Sequence, residues 1–283
     1  FFLLFLPFLL RNSWSFEELF VSLIIRVKEI KIKAMTKSKK INFTTFQEKR
    51  NPNQLFTDMT NLVDMVRSGV SPSLIISGMP GLGKTFLTVK KLKEAGYKEG
   101  VDFIHVKGRA TAAGMFITLF ENSDKLIIFD DCDSVFKDKD AVNLLKGALD
   151  SYDKRTIGWL AAKPLKDQDG LALPRFFNFT GRVIFITNIA AADIDTAIKS
   201  RSFIIDITLT AEQMIKRMKA LLGEVEPQID NIKIKKDALS ALANAHKKFD
   251  NVSLNFRSLI KAIRIRQMGF KNWRQMIAEQ VIG

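Results

Sequence analysis

The stretch "GMPGLGKT", residues 78–85 of the 283-residue chain, sets three glycines beside a lysine and a threonine, directly after the apolar run "SLII". A phosphate chain carries closely spaced anionic oxygens, and backbone N–H groups surround it only where no side chain blocks the approach. Glycine removes that obstruction. A lysine ammonium then reaches the outer phosphates, and a threonine hydroxyl offers a hard oxygen to a metal ion. The second stretch is "KLIIFDDCD", an apolar run ending on Asp130, Asp131 and Asp133. In open α/β sheets chemistry collects at such strand ends, where carboxylates position Mg²⁺ and polarise an attacking water. The competing readings are a chance glycine turn and, for Asp133 above all, a helix N-cap.

The elements that must hold these residues are legible in the periodicity. Five short apolar runs, at 73–77, 102–106, 125–130, 182–187 and 202–207, have the composition of strands buried on both faces. Helical patterns lie between them: "NQLFTDMTNLVDMVRSG", "KTFLTVKKLKEAG", "TAAGMFITLFEN" and "DAVNLLKGALD". Alternation of this kind implies a parallel sheet wrapped by helices. From about residue 209 four further segments all read as helices, with fourteen Lys/Arg against seven Asp/Glu, so a small basic helical domain is expected. The stretch between the third and fourth strands is longer than a plain connection. There "TIGWLA" and "RFFNFT" can pair as a hairpin, whose Trp159, Phe176, Phe177 and Phe179 serve either as core or as stacking platforms for bases.

A net charge of +14 favours anionic partners, although a solvated basic surface accounts for it equally well. One cysteine, Cys132, excludes an internal disulfide and suits the reducing cytoplasm. Two distant histidines, His105 and His246, argue against a zinc site. The opening "FFLLFLPFLL" lacks a preceding basic segment and is too short to span a bilayer, so no membrane association is expected. Met35 opens a natural-looking start, which makes residues 1–34 an upstream leader or a fragment's ragged edge.

Residues 78–85 match the P-loop pattern, with a strand before and a helix after. From about residue 50 to the end the chain resembles the AAA+ ATPases, ring-forming P-loop proteins, in particular the compact ones of phage and bacterial genomes. Its richness in Ile, Lys, Phe and Asn fits an AT-rich, phage-like source. The resemblance implies an α/β P-loop NTPase with a parallel five-stranded sheet, flanking helices and a C-terminal helical lid, divided as 35–208 and 209–283. It further implies that Gly78, Pro80, Gly81, Leu82, Gly83, Lys84, Thr85 and Phe86 hold ATP, and that Thr85 and Asp130 hold Mg²⁺. "LIIFDD" is similar to the Walker B motif, with Asp131 where the family usually has Glu; the shorter carboxylate implies slower turnover. "VIFITN" is similar to sensor 1, nominating Asn188, and "NFRSLIKAI" to sensor 2, nominating Arg257. "AIKSRSF" resembles the arginine-finger segment, so Arg201 is expected to reach a neighbouring subunit's nucleotide in a ring, typically of six.

Lys84, Asp131, Asn188 and Arg201 form the expected catalytic set. Lys107, Gly108 and Arg109, without an aromatic, occupy the loop that lines the central pore in many members, which favours a phosphate backbone over a polypeptide. Arg257, Lys261 and Arg264 recur on one helix face, opposite Phe256, Leu259, Ile260 and Ile263. The expected function is an ATP-driven motor or switch in DNA metabolism. No separate DNA-reading domain is recognisable, so nucleic-acid contact without sequence preference is implied. The alternatives are a protein-remodelling chaperone and a slow-turnover assembly protein.

Overall fold

The computed structural model describes residues 51–150, 154–167, 169–249 and 251–281, which fall within one compact unit. The expected leader at 1–34 and the candidate start at Met35 lie outside the described residues. The strands in chain order are β1 (Ser73–Gly78), β2 (Phe103–Lys107), β3 (Leu126–Asp130), β4 (Arg155–Gly158), β5 (Phe176–Phe179), β6 (Arg182–Ile186) and β7 (Phe203–Ile207). Five of them form a wholly parallel sheet in the order β2-β3-β6-β1-β7. The first helices are α1 (Pro52–Arg67), α2 (Lys84–Glu94), α3 (Ala112–Glu121), α4 (Lys139–Ala148) and α5 (Thr196–Arg201). Past Thr210 come α6 (Ala211–Ala220), α7 (Ile232–Lys248), α8 (Phe256–Gln267) and α9 (Trp273–Val281), with no further strand among the described residues.

Strand residues alternate between two cores, as the period of two requires. Leu74, Ile76, Leu126, Ile128, Ile184 and Ile186 pack with α1, α2 and the C-terminal helices. Ile75, Ile127, Phe129, Val183 and Phe185 face α3, α4 and the β4–β5 hairpin. Each such side chain contributes about 1.5–3 kcal/mol on burial. Burial on both faces describes β1 and β3, and β6 past Arg182. It does not describe β2, where only Phe103 is buried, nor β7, because both are edge strands with one neighbour each. The helix α5 was not expected; Asp195 caps it, accepting from the N–H groups of Ala197 and Ile198.

The hairpin forms with Ile157 opposite Phe177 and Arg155 opposite Phe179. Phe179 is fully buried, and Phe177 and Trp159 pack against Phe116 of α3 at 5.2 and 5.9 Å between ring centroids. Those three aromatics are core. Phe176 is 54% exposed and turns outward.

β1 ends at Gly78, paired with Ile207 of β7, where φ is 135° and an added Cβ would lie 2.3 Å from the Ile207 carbonyl oxygen. Gly78→Ala is therefore expected to lower unfolding free energy by about 3 kcal/mol, from backbone strain and displacement of β7. Urea denaturation measures this directly, and an unchanged midpoint contradicts it.

Candidate active site

The loop after β1 delivers Lys84 to the first position of α2. Gly81 and Gly83 adopt left-handed φ of 75° and 89°, and no side chain caps α2 at Gly83, so the helix head is shaped for an anion. Gly81 is tied to the C-terminal helices. Its carbonyl accepts from the Phe256 N–H at 2.9 Å, and a Cβ added to it would lie 2.8 Å from the Asn255 side chain. The Lys84 ammonium donates to the carbonyls of Gly78 and Met79 and, at 3.1 Å, to Asn188 Oδ1. Burial holds its pKa below the ordinary lysine value, against the pull of Asp131, Asp130 and Asp133 and with the help of Arg257.

β3 brings its carboxylates to the same place. Thr85 Oγ1 lies 3.0 Å from each oxygen of Asp130. His105 Nε2, on β2, lies 3.1 Å from Asp130 Oδ2, where the Nε2–H tautomer donates to it. Asp131 is exposed and sits at φ 56°, one of two non-glycine residues with positive φ among the described residues. Its N–H donates to the Ile186 carbonyl, and its Oδ1 accepts from Asn188 Nδ2 at 2.8 Å. Asn188 thus bridges Lys84 and Asp131 through the two ends of one carboxamide. Asp133 is not an N-cap: it accepts from the Thr187 hydroxyl, and Asp138 caps α4. Cys132 is buried between these carboxylates, and burial, with Asp130 next, raises its thiol to about 11.

A cavity of about 700 Å³ opens over the loop. Pro80, Gly81, Leu82, Gly83, Lys84, Thr85 and Phe86 line it, with Asp130, Asp131, Asn188 and the exposed Arg257 across from them. Arg201 lies apart, at the end of α5, where its Nη1 donates to the Ala197 carbonyl and its Nε is 3.9 Å from Asp150. Of the basic stripe on α8, Arg264 is engaged by Glu226 at 2.8 and 3.1 Å, which leaves Arg257 as its member at the cavity. Lys107 and Arg109 are exposed, and the Gly108 N–H donates to the Asp130 carbonyl at 3.1 Å.

The sequence did not point to His105, Thr187 or the partnership of Asp133. A polar residue near the end of an otherwise apolar strand, as in "DFIHV" and "RVIFIT", is the signal they carry. Thr85 and Asp130 offer a hydroxyl and a carboxylate side by side, hard donors that suit Mg²⁺, which takes few protein oxygens and completes its shell with waters and phosphate. No cluster of three or more His, Cys, Asp or Glu placed to hold a metal occurs among the described residues. Nor, among those residues, is any helix long and apolar enough to cross a membrane.

Residues 74–210 match the family described as "ATPase family associated with various cellular activities (AAA)". An uncharacterized 36.7 kDa protein of Enterobacteria phage T4, from the nrdC-mobD intergenic region, is 31% identical over 186 residues, 60% of this chain and 55% of that protein. The chain thus spans about half the length of this relative. Among solved structures, a single-residue variant of Thermotoga maritima RuvB has a TM-score of 0.50 at 14% identity, covering 81% of this chain and 68% of that one. PCH-2 of C. elegans has a TM-score of 0.41 at 12% identity, covering 82% of this chain and 67% of that one. The RuvB likeness is one of fold. With a P-loop between β1 and α2, acidic residues ending β3 and an asparagine just past the central β6, residues 74–210 are a domain of the AAA family of ATPases.

Proposed function

We propose that the chain binds ATP with Mg²⁺ and hydrolyses it, working as a ring of copies that acts on nucleic acid without sequence preference. The observation that carries this reading is the hydrogen-bonded chain Lys84–Asn188–Asp131 beside the Thr85–Asp130 contact. The amides of Gly81, Gly83 and Lys84 receive the phosphates, and the Lys84 ammonium exchanges its carbonyl partners for β and γ oxygens. Thr85 and Asp130 would hold Mg²⁺, which supplies charge neutralisation on the triphosphate when bound. Asp131 accepts the proton of a water that attacks the γ-phosphorus, the bond to the β-phosphate oxygen breaks, and ADP and phosphate leave. Asn188 fixes Asp131 relative to Lys84, so base and cation keep their spacing. Arg257 faces the phosphates from α8.

Arg201 lies outside the cavity of its own chain, which supports its use on a neighbour's nucleotide and hence a ring of about six. The exposed Lys107 and Arg109 and the net charge of +14 support a phosphate backbone as the substrate, in DNA metabolism. The proposed division is 35–208 for nucleotide and 209–283 for the lid, and the proposed compartment is the cytoplasm. The test is ATPase rate and particle mass, measured with and without single-stranded DNA, duplex DNA and unfolded protein. Several-fold stimulation by DNA, weakening as salt rises, is the expected result. Stimulation by unfolded protein alone transfers the reading to a remodelling chaperone.

A further inference from the structure

Asn188 bridges Lys84 and Asp131 from a stretch of chain that no ladder supports. β6 ends at Ile186, opposite Asp130 on one side and Ile76 on the other, and Asn188 is an exposed residue two positions further on, in a bend. A carboxamide there keeps its two hydrogen bonds in register only if the backbone that carries it is held by other means.

Side chains on both flanks supply that hold. The Thr187 N–H makes a main-chain bond to β1, donating to the Ile76 carbonyl at 3.0 Å. The Thr187 hydroxyl, on a residue 1% exposed, donates to Asp133 Oδ1 and accepts from the Ile189 N–H at 3.0 Å, closing a local turn around Asn188. Beyond it the hydroxyl of the buried Ser77, directly before Gly78, donates to the Ile189 carbonyl at 2.7 Å. Asp133 opens the short helical turn after β3, two residues past Asp131. One segment therefore receives the Asn188 amide at Asp131 and anchors the preceding residue at Asp133.

The geometry assigns Asp133, Thr187 and Ser77 to hydrolysis as positioning residues: they clamp the backbone at 187 and 189 so that Asn188 holds Asp131 at a fixed distance from Lys84. None of the three lines the nucleotide cavity, so each acts through Asn188. This rests on the hydrolysis reading above and adds to it the support of its central carboxamide.

Single-turnover hydrolysis and ATP affinity of the full chain test this, measured for Thr187→Val, Thr187→Ser and Ser77→Ala, and for the first and last of these combined with Asn188→Ala. Thr187→Val keeps the shape of the side chain and removes the hydroxyl. It should hydrolyse bound ATP about ten- to a hundredfold more slowly, the loss that a misplacement of about 1 Å produces, with ATP affinity near that of the parent. Thr187→Ser, which keeps the hydroxyl, should recover most of the rate. In the Asn188→Ala background Thr187→Val should slow hydrolysis little further, because effects exerted through one group are not additive. A residue that merely supports the fold slows both backgrounds by the same factor. Parental turnover in Thr187→Val overturns the assignment, as does an equal factor in both backgrounds or a loss in Thr187→Ser as large as that in Thr187→Val. If Thr187→Val fails to fold, Ser77→Ala decides from the other flank: slowing that disappears in the Asn188→Ala background supports the clamp, and any other result refutes it. An unaltered protein that neither binds nor hydrolyses ATP refutes the hydrolysis reading and the assignment with it, whereas a hydrolysing protein indifferent to these substitutions refutes the assignment alone.

Discussion

Asp131→Asn is expected to bind ATP with the affinity of the parent and to hydrolyse it at least about a hundredfold more slowly. Asparagine is nearly isosteric, tolerates the left-handed φ of 56° at this position, and keeps an oxygen for the Asn188 Nδ2. What it lacks is a basic oxygen for the water's proton, and general-base catalysis is worth about 10²–10⁴-fold. Single-turnover hydrolysis, run beside a binding isotherm, separates the two quantities. Retained turnover moves the base elsewhere. The left-handed backbone also bears on the shorter side chain, since Asp enters that conformation more readily than Glu.

Lys84→Met should abolish tight nucleotide binding. The ammonium is the positive charge that the loop itself brings to the phosphates, and truncating one partner of a buried, hydrogen-bonded charge pair costs about 2–5 kcal/mol, or roughly 30- to several-thousand-fold in Kd. Methionine preserves the apolar stem. Burial already disfavours the charged lysine, so removing that charge brings no comparable loss of folding stability. The expected signature is thus a protein with near-parental thermal unfolding that no longer gains stability from ATP and Mg²⁺. Undiminished stabilisation by nucleotide in this variant removes the phosphate role from Lys84.

The contrast between what was legible in the sequence and what was not follows the reach of each interaction. The runs at 73–77, 125–130 and 182–187 match β1, β3 and β6 within one residue, because a strand covered on both faces needs only local apolar residues to be recognised. The edge position of β2 was hidden, since strand order depends on crossovers rather than on composition. The phosphate loop was readable because its glycines act on backbone within eight residues. The Asp130–His105 contact was not, because it joins adjacent strands from different parts of the chain. Arg217 carries no local signal of burial; it packs on Phe56 and donates to Asn53, far upstream in α1. Arg264 looked like part of a basic face, and Glu226 claims it from the loop before α7.

The contact between Gly81 and the start of α8 leaves little slack between the two halves of the cleft. A main-chain bond to Phe256 and the press of Asn255 on a residue without a Cβ mean that swinging the C-terminal helices outward either snaps that tether or drags the glycine along. On the proposed nucleotide reading that spot is where the phosphates dock, so a single carbonyl would gear movement of the helices to the grip on nucleotide.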